Sequence, residues 1–142
     1  METTFRDGAD ARDGGVDITI HMSAEENAAI GADAALMVDR LSTALAGLVA
    51  LREKRDGKAM VDLAYWVIND LDVRLLPSLE AIRDAVIRAH KAAGGSVGHL
   101  GLAMDAPRST AQYRRDVVLA SQPSRHELWA TGDLPGQRPD SK

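Results

Sequence analysis

Apolar positions along the chain change their period several times, and each period predicts an element. Val16, Ile18, Ile20 and Met22 alternate with Asp17, Thr19 and His21, the two-residue repeat of a strand. A lone short strand near 16–22 needs a partner, either a C-terminal segment or its twin in a dimer, and without one it does not form. Residues 1–15 mix charge and glycine with one large apolar residue, Phe5. They bury too little to offset the entropy of ordering, so a disordered N-terminal segment is expected. Ser23-Ala24-Glu25-Glu26 has the form of a capping box. Helical periodicity follows to about Arg55, with a break near Gly31.

Within that stretch Met37, Leu41, Ala44, Leu48 and Leu51 recur at spacings of four and three. This seam is expected to be core, with half of a dimer interface as the alternative. A second helix, about 58–73, carries Met60, Leu63, Ala64, Val67 and Leu71 on one stripe, and Trp66 and Ile68 lie off it. A helix apolar over so wide an arc is sandwiched in a bundle or shared between subunits. Pro77 is expected to restart the chain in a first helical turn. A third helix, about 77–93, then faces inward with Leu79, Ile82, Val86 and Ile87 until Gly94-Gly95 stop it. Turn residues dominate from Ser121 onward. Residues 121–142 read as a flexible tail or a small wing, with a short strand at His126–Trp129 and disorder towards Lys142.

The segment 96–118 carries the candidate chemistry. Ser96 can cap a short helix whose inward positions are Val97, Leu100 and Met104. Asp105 falls at the turn, where a left-handed residue is needed and Asp is tolerated. Ala106 pins the turn to the core and Pro107 suits a helix start. The next helix buries Ala111 and Val118, with Val117 a further candidate, and points Arg108, Ser109, Gln112, Tyr113 and Arg114 outward. Two short helices joined tightly, the second rich in arginine and hydrogen-bonding side chains, make the architecture that lays a helix in a DNA major groove.

The run Arg108-Ser109-Thr110-Ala111-Gln112-Tyr113-Arg114-Arg115 resembles the opening of the recognition helix in many bacterial helix-turn-helix transcriptional regulators. Ser96, Val97, Leu100 and Met104 sit where those motifs place their cap and inward apolar residues. The resemblance spans about 25 residues and identifies the motif, not one family. The chain departs from it at Gly101, where alanine is usual, at Asp105, which replaces the turn glycine, and at Gly98. On this reading Arg108, Ser109, Gln112 and Tyr113 are candidates for base edges, arginine favouring guanine and glutamine adenine. Arg114, Arg115 and the Ser96 cap are candidates for phosphates, which set register without reading sequence. Arg115 has the alternative of lying along the core with its head at the surface. Thr110 reaches a phosphate or caps the turn.

Charge placement fits this reading. The net charge is −4, but residues 1–40 hold nine acids against three arginines, and residues 80–125 are mildly basic. Such a chain presents only its C-terminal half to a polyanion. Cysteine is absent, which excludes disulfides and cysteine–zinc sites. Residues 34–51 are interrupted by Asp39 and Arg40, and no secretory signal precedes them, so a cytoplasmic protein outside the membrane is expected. The four histidines are scattered, no phosphate-binding glycine loop occurs, and no serine has a nucleophile's neighbourhood. No metal, no cofactor and no enzymatic activity are expected.

The expected fold is therefore all-α, a helical bundle with a C-terminal helix-turn-helix. Residues 1–22 form a flexible segment, 23–76 a core and dimerisation region, 77–120 the DNA-binding region and 121–142 the tail or wing. The expected partner is double-stranded DNA, bound by a homodimer acting as a transcriptional regulator, with an effector unspecified. The alternative is a helical protein–protein module, adaptor or antitoxin-like, that does not bind DNA.

Overall fold

A computed structural model describes residues 1–135, and the disorder expected near Lys142 lies outside that range. The chain is mostly helical, with one small sheet. It divides into two compact units, Met1–Leu45 and the residues from Ala46 on.

In the first unit, β1 (Glu2–Asp7) pairs antiparallel with β2 (Val16–His21), Phe5 standing opposite Ile18 and Thr3 opposite Ile20. The strand expected at 16–22 is present. Its partner within the chain is residues 2–7 and not a C-terminal segment, which corrects the disorder expected there. Two short 3-10 turns close the loop, and Asp17 fixes it by accepting the Arg12 N–H at 3.1 Å. Thr3, Phe5, Val16, Ile18 and Ile20 share one face of this hairpin by register, and Phe5 and Ile18 remain 69% and 56% exposed.

Ser23 caps α1 (Ala24–Ile30) in a reciprocal capping box with Glu26. Gly31, at φ +57°, ends it and allows α2 (Asp33–Arg52) to start in a new direction. The seam expected as core is open: Met37 and Ala44 are half-buried, but Leu41, Leu48 and Leu51 are exposed. By length and composition α2 is apolar enough to cross a membrane, with a mean hydropathy of 1.6 over its most apolar window. Asp39 and Arg40 lie within it, and each would cost about 2.5–3.5 kcal/mol at a bilayer centre.

In the second unit, the end of α2 approaches α3 (Gly57–Asp70) at Gly47, where a Cβ would stand 2.9 Å from the Val67 side chain. Met60, Leu63, Ala64, Val67 and Leu71 are half-buried as the stripe predicts, and Trp66 and Ile68 are exposed. Pro77 stands in the first turn of α4, as expected, but no break precedes it. α3 passes through one π-helical turn, Leu71–Leu75, into α4 (Leu76–Ala92) with helical backbone throughout. Proline lacks an N–H and its ring crowds the carbonyl four residues back; a wide π turn just before it makes that room without ending the helix. The inward face of α4 also differs from expectation. Ser78, Ala81 and Ile87 are buried, but Leu79, Ile82 and Val86 are exposed. Small residues occupy the inner side at the first turns. Ser78 spends its hydroxyl on the Arg74 carbonyl at 2.7 Å.

Gly94, at φ +81°, ends α4. α5 (Val97–Ala103) and α6 (Arg108–Ala120) follow, then α7 (Arg125–Ala130). α7 replaces the strand, wing or flexible tail expected after Ser121. Ser124 and Glu127 form a second capping box, and the helix packs on α4.

Candidate nucleic-acid interface

The core beneath the candidate segment is formed by Ile87 of α4, Leu100 of α5, and Ala111 and Val118 of α6, with Val97 and Met104 packed against it. These are the inward positions read from the sequence, with Val117 exposed. Ser96 caps α5 by accepting the His99 N–H at 3.2 Å.

The turn between α5 and α6 depends on two unusual residues. Asp105 adopts φ +47°, the left-handed conformation expected of it. The Ala106 N–H then donates to the Gly101 carbonyl at 3.0 Å. A Cβ on Gly101 would lie 3.0 Å from the Ala106 carbonyl oxygen and 3.5 Å from the Arg108 Cα. Gly101 is therefore the contact that brings the start of α6 against α5. Its departure from the usual alanine has a steric cause. Gly98 meets only the Ser96 hydroxyl, at van der Waals distance.

Pro107 is the N-cap of α6 and offers no side-chain acceptor to the first turn. The leading N–H groups are thus uncapped by protein side chains, and they attract anions. With Ala111 and Val118 inside, helical periodicity sets Ser109 and Tyr113 opposite the core, Arg108 and Gln112 on one flank and Arg114 on the other. All five are exposed, as is Thr110, and Tyr113 is 72% exposed. Thr110 does not cap the helix.

Arg115 takes the second of its two expected positions. Its side chain is 14% exposed, its Nε has no hydrogen-bond partner, and Asp116 lies at 3.6 Å. It does not join the outward set. Asp116, exposed on the outer face one turn beyond Gln112 and Tyr113, limits a phosphate-facing surface to the first two turns of α6. Within those turns Arg108 and Arg114 have no ion-pair partner among the described residues.

Sequence spacing gave no sign of what holds α6 in place. The Arg88 Nε of α4 donates to Glu127 Oε1 of α7 at 2.8 Å, and its terminal nitrogen donates to the Ser121 carbonyl at 2.9 Å and to Ser121 Oγ at 3.2 Å. One guanidinium thus joins α4, the end of α6 and α7. Burial raises the Glu127 pKa, but the Arg88 hydrogen bond and the Ser124 backbone N–H outweigh it, and the net shift is downward. Arg88 therefore drops out of the basic set counted from the sequence, as does Arg83, which pairs with Asp84 at 2.9 Å. No protein-family model, curated protein or solved structure matches the chain. Among the described residues no cluster of His, Asp or Glu is placed to hold a metal ion.

Proposed function

We propose that the protein binds double-stranded DNA, with α5 and α6 acting as a helix-turn-helix and α6 entering the major groove. The observation that carries this reading is the exposed first half of α6, where Arg108 and Arg114 flank Ser109, Gln112 and Tyr113 without an acidic partner. Arg108 and Gln112 suit bidentate contacts to guanine and adenine. Arg114 and the Ser96 hydroxyl suit phosphate oxygens on either side of the groove. Arg115 contributes by holding the helix rather than by touching DNA. A single short recognition helix gives modest affinity, and a homodimer reading two half-sites is the usual remedy. The apolar residues left open on α2 and α3, Leu45, Leu48, Tyr65 and Trp66 among them, support self-association. Transcriptional regulation in the cytoplasm is the role such a protein would serve.

The same open surface is the observation that favours a second reading, a helical protein-interaction module that does not bind DNA. One experiment separates the two. Purified protein is titrated onto fragments of its own locus at two salt concentrations, beside an Arg108→Ala/Arg114→Ala variant. Binding that weakens with salt and is lost in the variant supports the DNA reading. Absence of binding at low salt by an intact wild-type oligomer overturns it in favour of the interaction module.

A further inference from the structure

A two-stranded hairpin is marginal in water by itself, and this one is amphipathic. Thr3–Ile20 and Phe5–Ile18 pairs lie on one face, Glu2–His21, Thr4–Thr19 and Arg6–Asp17 on the other. Phe5, Val16, Ile18 and Ile20 are all exposed. The ladder also fixes which backbone groups are unused. The Gly8 N–H donates to the Gly15 carbonyl at 3.1 Å, so hydrogen-bonded pairs recur at Arg6–Asp17, Thr4–Thr19 and Glu2–His21. The N–H and C=O groups of Val16, Ile18 and Ile20 therefore point away from β1, along an open edge.

We propose that the β2 edge pairs antiparallel with the β2 edge of a second copy, about a two-fold axis at Thr19. In this register Ile18 of each chain exchanges backbone hydrogen bonds with Ile20 of the other, using the groups that point outward. Thr19 meets Thr19 in the close, non-hydrogen-bonded pairing, a favourable cross-strand match. Asp17 stands opposite His21 of the second copy, twice, and Val16 opposite Met22. The register keeps every apolar residue on one face, which a one-residue slip would not. Shifting the axis to Ile18 or Ile20 sets Asp17 or His21 opposite a threonine and loses the Asp17–His21 pairing.

The β1 edge is the poorer candidate. Glu2, Arg6 and Asp7 put charge on half of its residues, a pattern that protects edges from pairing. Joining through β1 would also set Thr3 and Phe5 at the centre and leave the isoleucines outside. Joining through β2 yields a four-stranded sheet, β1-β2-β2-β1, with the β-branched strands innermost. Leu36, Val38 and Leu41 of the same unit are exposed as well, so each copy carries apolar helix surface to lay on that sheet.

This inference deepens the homodimer part of the proposed function and is independent of DNA. The chain has no cysteine, so single-cysteine variants report pairing directly. Opposed residues at a non-hydrogen-bonded site have Cα atoms about 4.5 Å apart, within disulfide range. Ile18→Cys, Thr19→Cys, Ile20→Cys and Thr4→Cys are oxidised mildly without DNA and run on non-reducing gels, beside sedimentation of the wild type. The expected result is a dimeric wild type and near-complete, dithiothreitol-reversible cross-linking of Thr19→Cys alone. A monomeric wild type would overturn both this inference and the homodimer reading. A dimeric wild type with cross-linking at Ile18 or Ile20 instead would overturn the Thr19 register, and one with cross-linking at Thr4 or at none of the four would overturn the β2 pairing; either leaves the helical interface and the DNA reading standing.

Discussion

Arg88 and Glu127 lie 39 positions apart in the chain and share a hydrogen bond of 2.8 Å, with their side chains only 21% and 8% exposed. A desolvated pair is costly to break from one side, because the remaining charge is stranded. Arg88→Ala also removes the donors to Ser121, so it loosens the end of α6 as well as α7. Since the pair keeps some exposure, a loss of about 2–3 kcal/mol is expected, below the range for a fully buried pair. Arg88→Lys should recover little of it, since one ammonium cannot reproduce the planar fork that spans two helices. Denaturant unfolding of the three proteins gives the comparison, and rescue by lysine would show that charge alone matters.

The same pair sets a pH dependence. The Glu127 pKa is lower in the folded protein than its ordinary value, chiefly because the Arg88 bond overcomes burial. The stabilisation is therefore complete above the unfolded carboxylate pKa and disappears as pH falls through the lower, folded value. Glu127→Gln should melt below the wild type at neutral pH, and the gap should close on acidification below about pH 4. Trp129, half-buried in α7, reports undocking by fluorescence in a Trp66→Phe background. A gap that stays constant down to pH 3 would show that the carboxylate's charge is not what holds α7.

Local chemistry was legible in the chain; pairing over distance was not. The Ser23 capping box, the break at Gly31, the Ser96 cap and the left-handed Asp105 each follow from a few adjacent residues, and all are present. Inward positions Leu100, Ala111 and Val118 were legible because short helices on a small core keep a simple period. β1 was hidden because three of its six residues are charged, and its order comes from β2 opposite. α7 carried the same serine-to-glutamate spacing at Ser124–Glu127 as at Ser23–Glu26, a signal outweighed by the turn residues around it. The face of α4 is not legible from residue size, since Leu79, Ile82 and Val86 are exposed while the small Ser78 and Ala81 are buried. The Arg88 clamp has no sequence spacing to betray it.

Gly101→Ala tests the close approach of α5 and α6. In an open helix the change would gain about 1 kcal/mol in propensity. Here the new Cβ meets the Ala106 carbonyl oxygen at 3.0 Å, a backbone atom of the residue whose N–H is bonded across the turn to the Gly101 carbonyl. Overpacking of this kind costs about 1–3 kcal/mol, so a net loss of roughly 1 kcal/mol is expected. A stabilised variant in denaturant titration would mean that the turn can yield.

Asp105→Gly should act in the opposite direction. At φ +47° a side chain is strained by about 1–2 kcal/mol, less for Asp than for most residues. Glycine relieves that strain but adds unfolded-state entropy of about 0.4–1 kcal/mol. The balance predicts a small gain for glycine and a clear loss for Asp105→Val, whose branched side chain does not tolerate the conformation. Melting temperatures in the order glycine, aspartate, valine are expected, and a valine variant as stable as the wild type would place the turn elsewhere in solution.

The last prediction separates reading from anchoring on α6. Gln112 and Arg114 are both exposed, on opposite flanks of the outward face. If Arg114 contacts a phosphate, its change to alanine weakens binding to every DNA sequence alike and lowers the slope of log affinity against log salt by about 1. If Gln112 contacts a base, its change to alanine leaves that slope unaltered and relaxes preference at one position, at a cost of about 1–3 kcal/mol on the preferred site alone. Binding-site selection from random DNA, followed by salt titrations on the selected and a scrambled site, measures both. Equal losses on selected and scrambled DNA for Gln112→Ala would remove it from the base-reading set. A salt slope unchanged by Arg114→Ala would place the phosphate contact on another residue, with the uncapped first turn of α6 the next to test.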